Sequence, residues 1–559
     1  MVSSPMVSSP MVSSIVSSSR RWWGFAALAA LPLAVLGVFF LLPVGGMIAR
    51  GFWPDGSFDP GAVTDVFGRP RTLRVLWFTL VSAGAGTMLS LVLGLPAAYV
   101  THRLDLPWMP ALRAALLAPF VLPTVVVGVA FRQLLSEGGA LGGLGLDGSP
   151  VAIVAALAFF NIAVVVRSVG ATWEGLDPRP AEAAAVMGAR PLQVFWTVTW
   201  PGLRRSVAAT GSVVFLFCAT AFGVVLTLGG LKYATVETEI YLLTTNLLDL
   251  PAASALSLLQ LLVVIGLLLA SRRLEASGPR RRVELSPLRR PSRSDLPALV
   301  VTGLAVALVA APIVTLVLGS LRVDGSWGLA HYRALASPVV QTQSSVWAAL
   351  VNSLRIATDA TWMSIVLGLS VALLVTRRVR SRGEQVVQRG MDGLFLLPLG
   401  VSAVTLGFGF LITLGRPPFA LRDSPLLIPI AQALVALPLV VRTLTPVLAA
   451  IDDRQRQAAA TLGASPLRSL LVVEWPALRR PLLAAAGFAF AVSLGEFGAT
   501  SFLSREDRPT LPVLIYALIS HPGEQNFGAA LAASCVLAAL TAAVMALVDR
   551  VGVRSVGAW

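Results

Sequence analysis

Lysine is all but missing from this 559-residue chain: Lys232, in "GGLKYA", stands alone among 43 basic residues. A nucleotide-binding P-loop needs Gly-Lys-Ser/Thr so that a lysine can reach the phosphates. Lys232 follows Leu231, so the chain is not its own P-loop ATPase. Histidine is nearly as scarce. His102, His331 and His521 lie far apart and form no H-x-x-x-H pair, which removes that zinc signature. The only cysteines, Cys218 and Cys535, both fall inside apolar runs, so there is no disulfide framework. No nucleophile–base constellation stands out, and an enzyme reading has nothing to rest on. Charge is short as well, at 13% of residues, against roughly 25% in a soluble domain. With 56% hydrophobic residues and a mean hydropathy of +0.80, the chain is solvated mainly by lipid.

What is abundant is long apolar sequence. Runs of about 20 residues, enough to cross a ~30 Å hydrocarbon core as helix, lie near 25–47, 76–100, 114–134, 150–170, 207–229 and 252–271. A second set lies near 297–319, 347–375, 391–414, 425–446, 483–503 and 527–549. None alternates as a β-barrel strand would, and helices satisfy their own backbone in lipid. The fold class is therefore an all-α integral membrane protein of about twelve transmembrane helices. The net charge of +15 follows topology and not nucleic acid. Roughly 30 of the 43 basic residues sit on segments sharing the side of the N-terminus, the positive-inside bias that places both termini in the cytoplasm. The connector "RRLEASGPRRRVELSPLRRPSR" is the most basic stretch, in reach of anionic headgroups but read here as a solvated topology determinant. The opening "MVSSPMVSSPMVSS" is a low-complexity, disordered tail (1–20) in which Met1, Met6 and Met11 are all possible starts. Arg20 and Arg21 before an apolar run resemble a signal peptide, but the run is long and lacks a small-residue cleavage site, so a retained first helix is expected.

One passage occurs twice: "EAAAVMGARPLQVFWTVTWPGLRR" from Glu182 and "QAAATLGASPLRSLLVVEWPALRR" from Gln457, 275 positions apart. The same offset links Arg167 to Arg442, Asp177 to Asp452, Phe222 to Phe497, Gly223 to Gly498 and Tyr241 to Tyr516. A constant offset over so long a stretch indicates duplication. Each half (21–275 and 297–559, joined by the linker 276–296) holds six spans, an even number, so the two repeats are parallel and related by a pseudo-twofold along the membrane normal. Both copies of the passage then lie on one side, the cytoplasmic one, between the fourth and fifth spans. Glu182 to Met187 favours a short helix, Gly188 permits a sharp break, and 192–199 resumes as helix, with Pro201 marking the turn into the next span. Two equivalent helix–Gly–helix elbows suit a two-lobed partner.

These residues resemble the EAA loop of ABC-importer permeases: Glu182-Ala183-Ala184, Gly188 and Pro201 in one copy, Gln457-Ala458-Ala459, Gly463 and Pro476 in the other. The resemblance implies a type I importer permease whose two loops are coupling helices seated in ATPase subunits, two copies expected. Gln457 replaces the family's Glu, so a weaker or merely polar first contact is expected there. ATP and Mg would be bound by the ATPase, with no cofactor in this chain, and cargo would arrive on an extracytoplasmic binding protein at the inner (plasma) membrane. "FVLPTVVVGVAF" (120–131), "WPGLRRSVAATGSVVFLFCATAFGVVLTLGG" (200–230) and "SLGEFGATSFLSREDRPTLPVLIYALIS" (493–520) are similar to fused permeases of the thiamine and ferric-iron group. That likeness covers most of residues 70–550 and implies thiamine as cargo, with ferric iron or another small solute as the alternative.

An ion-coupled secondary transporter is the rival class. It would need buried carboxylates, and the one conspicuous in-span acid is Glu496, in "SLGEFGAT", whose counterpart Ala221 is uncharged. Two docking loops would then go unexplained. Glu496 itself has two readings: a counter-charge facing a cavity between the repeats, or a carboxylate that pairs with a backbone amide or an arginine and fixes packing.

Overall fold

Apolar runs of this length are helical, and among the described residues ten helices are long and apolar enough to cross a membrane. The computed structural model describes residues 29–53, 56–230, 232–275, 288–323, 325–337, 344–376, 401–415, 417 and 420–550. The N-terminal tail with its alternative starts, the centre of the basic connector and the beginning of the run at 391–414 lie outside the described residues. In the first half the principal helices are α1 (Ala29–Phe52), α2 (Pro70–Arg103), α3 (Thr124–Leu135), α4 (Pro150–Glu174), α5 (Pro191–Ala219) and α6 (Leu250–Ala270). In the second they are α7 (Arg293–Ser320), α8 (Val346–Thr376), α9 (Ala403–Thr413), α10 (Leu427–Ala450), α11 (Leu470–Leu494) and α12 (Glu524–Val548). The only strands among the described residues are a small antiparallel hairpin beyond α7, pairing Arg322 with Trp327 and Val323 with Ser326.

The duplicated order is thus present in space, with three corrections to the expected spans. The run at 114–134 is not one helix: Met109–Leu117 and a 3₁₀ turn at Ala118–Val121 precede α3, because Pro119 and Pro123 each remove a backbone donor within the run. The fifth spans, expected at 207–229 and 483–503, begin earlier and stop earlier, at Ala219 and Leu494. And no turn occurs at Pro201 or Pro476. Helix runs through both prolines, and the turn just before each is wound as π-helix, Phe195–Thr199 and Leu470–Glu474. A third π turn, Gly37–Leu41, stands in the same place before Pro43. A proline ring clashes with the carbonyl four residues back, and a wider turn at that point is the relief.

Packing inside each half centres on the second and fourth spans. α2 crosses α4 at Gly94, where an added Cβ would lie 2.7 Å from Val165 Cβ; α8 crosses α10 at Gly368, where it would lie 2.9 Å from Val440 Cβ. Between halves, the opening helices reach across. α1 packs on α6 of its own half and on α9 of the other, while α7 packs on α12 of its own half and on α2 and α3 of the other. Gly46 of α1 abuts Thr413 of α9, and Gly319 of α7 abuts Gln133 of α3, so both crossings use a glycine. Small residues are what allow helices to approach closely in lipid. The largest core cluster accordingly draws on both halves, joining Met47, Phe222 and Ile240 to Phe408, Phe497 and Ile515. The connector's far end is clipped to α2: Arg289 N–H donates to the Arg103 carbonyl at 3.0 Å, and Asp105 N–H to the Arg289 carbonyl at 2.8 Å. Asp295 then accepts from the Arg289 guanidinium at 2.6 Å and the Tyr99 hydroxyl at 2.8 Å.

Gly368→Leu should destabilise the purified protein by about 1–3 kcal/mol through overpacking against Val440, read as a lowered Tm. Gly84→Leu, on α2 with open space around it, should leave Tm unchanged. Equal effects of the two would contradict this packing.

Candidate functional site

The fifth spans break. After Ala219 the chain kinks at Thr220 to Phe222 and resumes as the helix Gly223–Gly229, and after Leu494 it kinks at Gly495 to Gly498 and resumes as Thr500–Leu503. The two kinks are equivalent under the 275-residue offset and meet where the halves join. A cavity of about 390 Å³ opens there, lined from one half by Thr220, Ala221 and Phe222 and from the other by Gly495, Glu496 and Phe497. Phe160, Asn161, Phe217, Phe488 and Met545 complete much of its wall. The Phe222 and Phe497 rings stack with centroids 5.3 Å apart and an interplanar angle of 20°. Glycine at 223 is required by this approach, since a Cβ there would strike the Thr124 hydroxyl and sit 3.3 Å from the Phe497 ring.

Glu496 is only 6% exposed. Its carboxylate accepts from the Ala499 amide at 2.7 Å, the Thr500 amide at 3.0 Å and the Thr500 hydroxyl. It therefore caps the short helix after the break, and the amide partner of the packing reading is present. The same residue lines the cavity. Thr500 Oγ1 also accepts from Gln432 Nε2 at 3.3 Å, which ties the break to α10.

Glu496 is not the only buried acid, as the sequence had suggested. Glu237 is 0% and Glu239 2% exposed, on the helix Val236–Thr245, in a segment expected to be a plain connection between spans. Glu237 accepts from Gln260 Nε2 at 3.1 Å and, across the halves, from the Ser402 hydroxyl at 2.9 Å. Glu239 forms a two-pronged pair with Arg71, at 2.5 and 2.9 Å. A signal was available: the second copy of this helix, Leu511–Ser520, carries no charged residue. Its Pro512 and Leu514 occupy the positions of Glu237 and Glu239 under the offset. Acids at the equivalents of buried apolar residues need partners in the fold.

On the side where α4 leads into α5 and α10 into α11 lie the elbows. Arg179–Val186 holds Glu182, Ala183 and Ala184, and Asp453–Thr461 holds Gln457, Ala458 and Ala459. Gly188 and Gly463 follow at φ +87° and +79°, a left-handed conformation that favours glycine. Each closes a Schellman cap: the amides of Ala189 and Ala464 donate to the carbonyls of Ala184 and Ala459 at 3.1 and 3.0 Å. The tips are apolar and open, Met187 being 82% and Leu462 88% exposed at equivalent positions. The second elbow is braced by Arg456, which donates to Glu474 at 2.9 Å and Asp453 at 3.1 Å. Ala181 stands in its place in the first, so the two elbows differ in stiffness.

Two halves, two broken spans and two elbows coincide with two matches to one family, the "binding-protein-dependent transport system inner membrane component", at residues 90–282 and 364–555. The chain belongs to this family. It is the membrane-embedded permease subunit of an ABC importer, not an enzyme, and it works with a substrate-binding protein and a separate ATPase subunit in the inner membrane. The permease is 28% identical over 512 residues to the thiamine transport system permease protein ThiP of Brucella abortus (strain 2308), covering 89% of this chain and 90% of that one. It is also 28% identical over 466 residues to ThiP of Escherichia coli (strain K12), covering 81% and 84%. A crystal structure of a bacterial ABC transporter involved in the import of alginate is similar at a TM-score of 0.41 and 16% identity, over 48% of this chain and 100% of that one. That last likeness is too weak to bear on the fold.

Proposed function

We propose that this permease is the membrane path for thiamine in an ATP-driven importer, with cargo delivered by an external binding protein. The cavity between the halves carries the reading. Phe160, Phe217, Phe222, Phe488 and Phe497 surround it, and Glu496 contributes the one carboxylate on its wall. Thiamine is a flat, cationic heterocycle, and such a cation is attracted to aromatic faces and to a fixed negative charge in a low-dielectric site. The names of the similar permeases point to the same cargo. Glu496 in this reading has a double role, capping the helix at Thr500 while setting the sign of the potential in the cavity.

The elbows are the surfaces on which two copies of the ATPase subunit sit. Glu182, Ala183, Ala184, Gly188 and Pro201 belong to one site, and Gln457, Ala458, Ala459, Gly463 and Pro476 to the other. Both termini and the connector then face the cytoplasm, in line with the distribution of arginine. The two six-span repeats, 21–275 and 297–559, form a complete path within one chain.

Uptake of labelled thiamine by proteoliposomes holding the permease, its ATPase and its binding protein tests the cargo. Saturable, ATP-dependent uptake is expected, and Glu496→Gln should lower it roughly tenfold, a loss of about 1.4 kcal/mol. Uptake of ferric iron in place of thiamine, or an unchanged rate in the Gln variant at normal protein level, would contradict the proposal.

Gly188→Val with Gly463→Val tests the elbows. A β-branched residue in the left-handed region costs about 1–2 kcal/mol at each site, so the caps should open and the apolar tips shift. Uptake should fall at least tenfold while the protein stays in the membrane, with ATP hydrolysis no longer stimulated by loaded binding protein. Normal recovery of the ATPase together with normal uptake would sink this assignment.

A further inference from the structure

The two elbows are fastened by different means. In the second, Arg456 leaves the helix Asp453–Thr461 and donates to Glu474 at 2.9 Å and to Asp453 at 3.1 Å. Glu474 is the last residue of the π turn Leu470–Glu474, so this elbow is tied to the first turns of α11 from within its own half. Under the 275-residue offset the first elbow has Pro178, Ala181 and Thr199 at these three positions. No such ion pair can form there, and what fastens the helix Arg179–Val186 comes from elsewhere in the chain.

It comes from the connector. Arg289 lies beside Leu104 in a parallel bridge, and its amide donates to the Arg103 carbonyl at 3.0 Å. Two routes lead from this point to the elbow. In one, Arg103 Nη2 donates to the Leu176 carbonyl at 3.1 Å, just before Arg179. The other runs through rings. Asp295, only 3% exposed, accepts at Oδ1 from the Tyr99 hydroxyl at 2.8 Å and from Arg289 at 2.6 Å. The Tyr99 ring packs on Trp173 at 5.2 Å, and Trp173 packs at 6.2 Å on Phe195, the first residue of the π turn Phe195–Thr199. The connector thus reaches the chain on both flanks of the first elbow, and its ring route ends on the π turn equivalent to the one that holds Glu474. Anchoring α7 would need less. Asp295 Oδ2 already takes the Ser292 amide at 2.7 Å and closes the turn into that helix, which leaves Oδ1 for Tyr99 and Arg289. A carboxylate buried this far stays where its partners hold it, so the cluster is a fixed point for the ladder of rings.

We propose that Asp295, Arg289 and Tyr99 are positioning residues for the first elbow. From the connector they do what Arg456 does within the second half, fixing the attitude in which the elbow meets its ATPase subunit. The connector is then a working part of the first docking surface as well as the join between the halves. That role in docking rests on the elbows seating the ATPase; the bracing itself does not.

Amide hydrogen exchange read by mass spectrometry, in the full-length permease with and without its ATPase, tests the two braces separately. The reporters are the amides of Met187 to Ala189 and of Leu462 to Ala464, which close the elbow helices. Tyr99→Leu removes the hydroxyl and the ring. It should speed exchange at the first set about tenfold, the scale of losing one charge-assisted hydrogen bond in a locally opening segment, and leave the second set unchanged. Arg456→Ala should do the reverse. Tyr99→Phe keeps the ring and should recover part of the loss, and Asp295→Asn keeps the side chain's size and should loosen the first set less than Tyr99→Leu does. These two milder variants carry the test if Tyr99→Leu fails to fold. Faster exchange confined to the start of α7, with the first elbow unmoved, would reduce the cluster to a helix anchor and overturn the proposal. Equal loosening of both elbows by either variant would overturn it too. Failure of the docking reading has its own signature: neither reporter set would gain protection when the ATPase binds, while the variants still loosened one elbow each.

Discussion

A helix that breaks inside a bilayer leaves amides and carbonyls that lipid cannot satisfy, at a cost of several kcal/mol for each unpaired group. Everything central to this permease follows from having two such breaks. At the first, the Thr220 amide reaches the Leu216 carbonyl at 3.0 Å and the Leu226 amide reaches the Phe222 carbonyl at 2.8 Å, opening the seven-residue helix Gly223–Gly229. In the second half the helix after the break is only four residues long, Thr500–Leu503, and Glu496 supplies the acceptors for the Ala499 and Thr500 amides. The repeat is thus symmetric in path and asymmetric in how the path is held. An acid, Glu496, stands in the second copy where Ala221 stands in the first.

Because irregular backbone at membrane depth survives only when buried in protein, each break needs the other half as its cover. The architecture supplies this by crossing over. α1 leans on α9 and α7 leans on α3, each through a glycine, so neither half is packed without the other. At the elbow side the same duplication yields two apolar tips at equivalent positions. α5 and α11 run as helix from the elbow side to the cavity, so each tip is joined to a break by helix. The π turns before Pro201 and Pro476 lie on this line, where the hydrogen-bond ladder is already loosened.

Much of this was legible in the sequence, and the physical reason is plain for each part. Hydropathy located ten of the twelve expected spans because lipid imposes length and composition directly on a full span. It misjudged the third and fifth spans because an averaged apolar run does not register a 3₁₀ turn at Pro119 or a kink at Thr220. The elbows were readable because glycine at 188 and 463 has a backbone reason to be there. Pro201 misled, since a proline in a helix that can widen to a π turn need not end it. Glu237 and Glu239 were missed because their partners, Ser402 and Arg71, are 165 and 168 positions away. Only the apolar second copy of their helix hinted at burial. Glu496 was located by its charge in an apolar run, but its hydrogen bonds to Ala499 and Thr500 depend on the kink that hydropathy did not show.

If one chain furnishes both halves of the path and both elbows, a single permease serves each importer. Native mass spectrometry of the importer complex, extracted from membranes in mild detergent, measures this directly. One permease chain with two ATPase subunits is expected. A complex containing two permease chains for two ATPase subunits would contradict it, since the second half would then not complete the first.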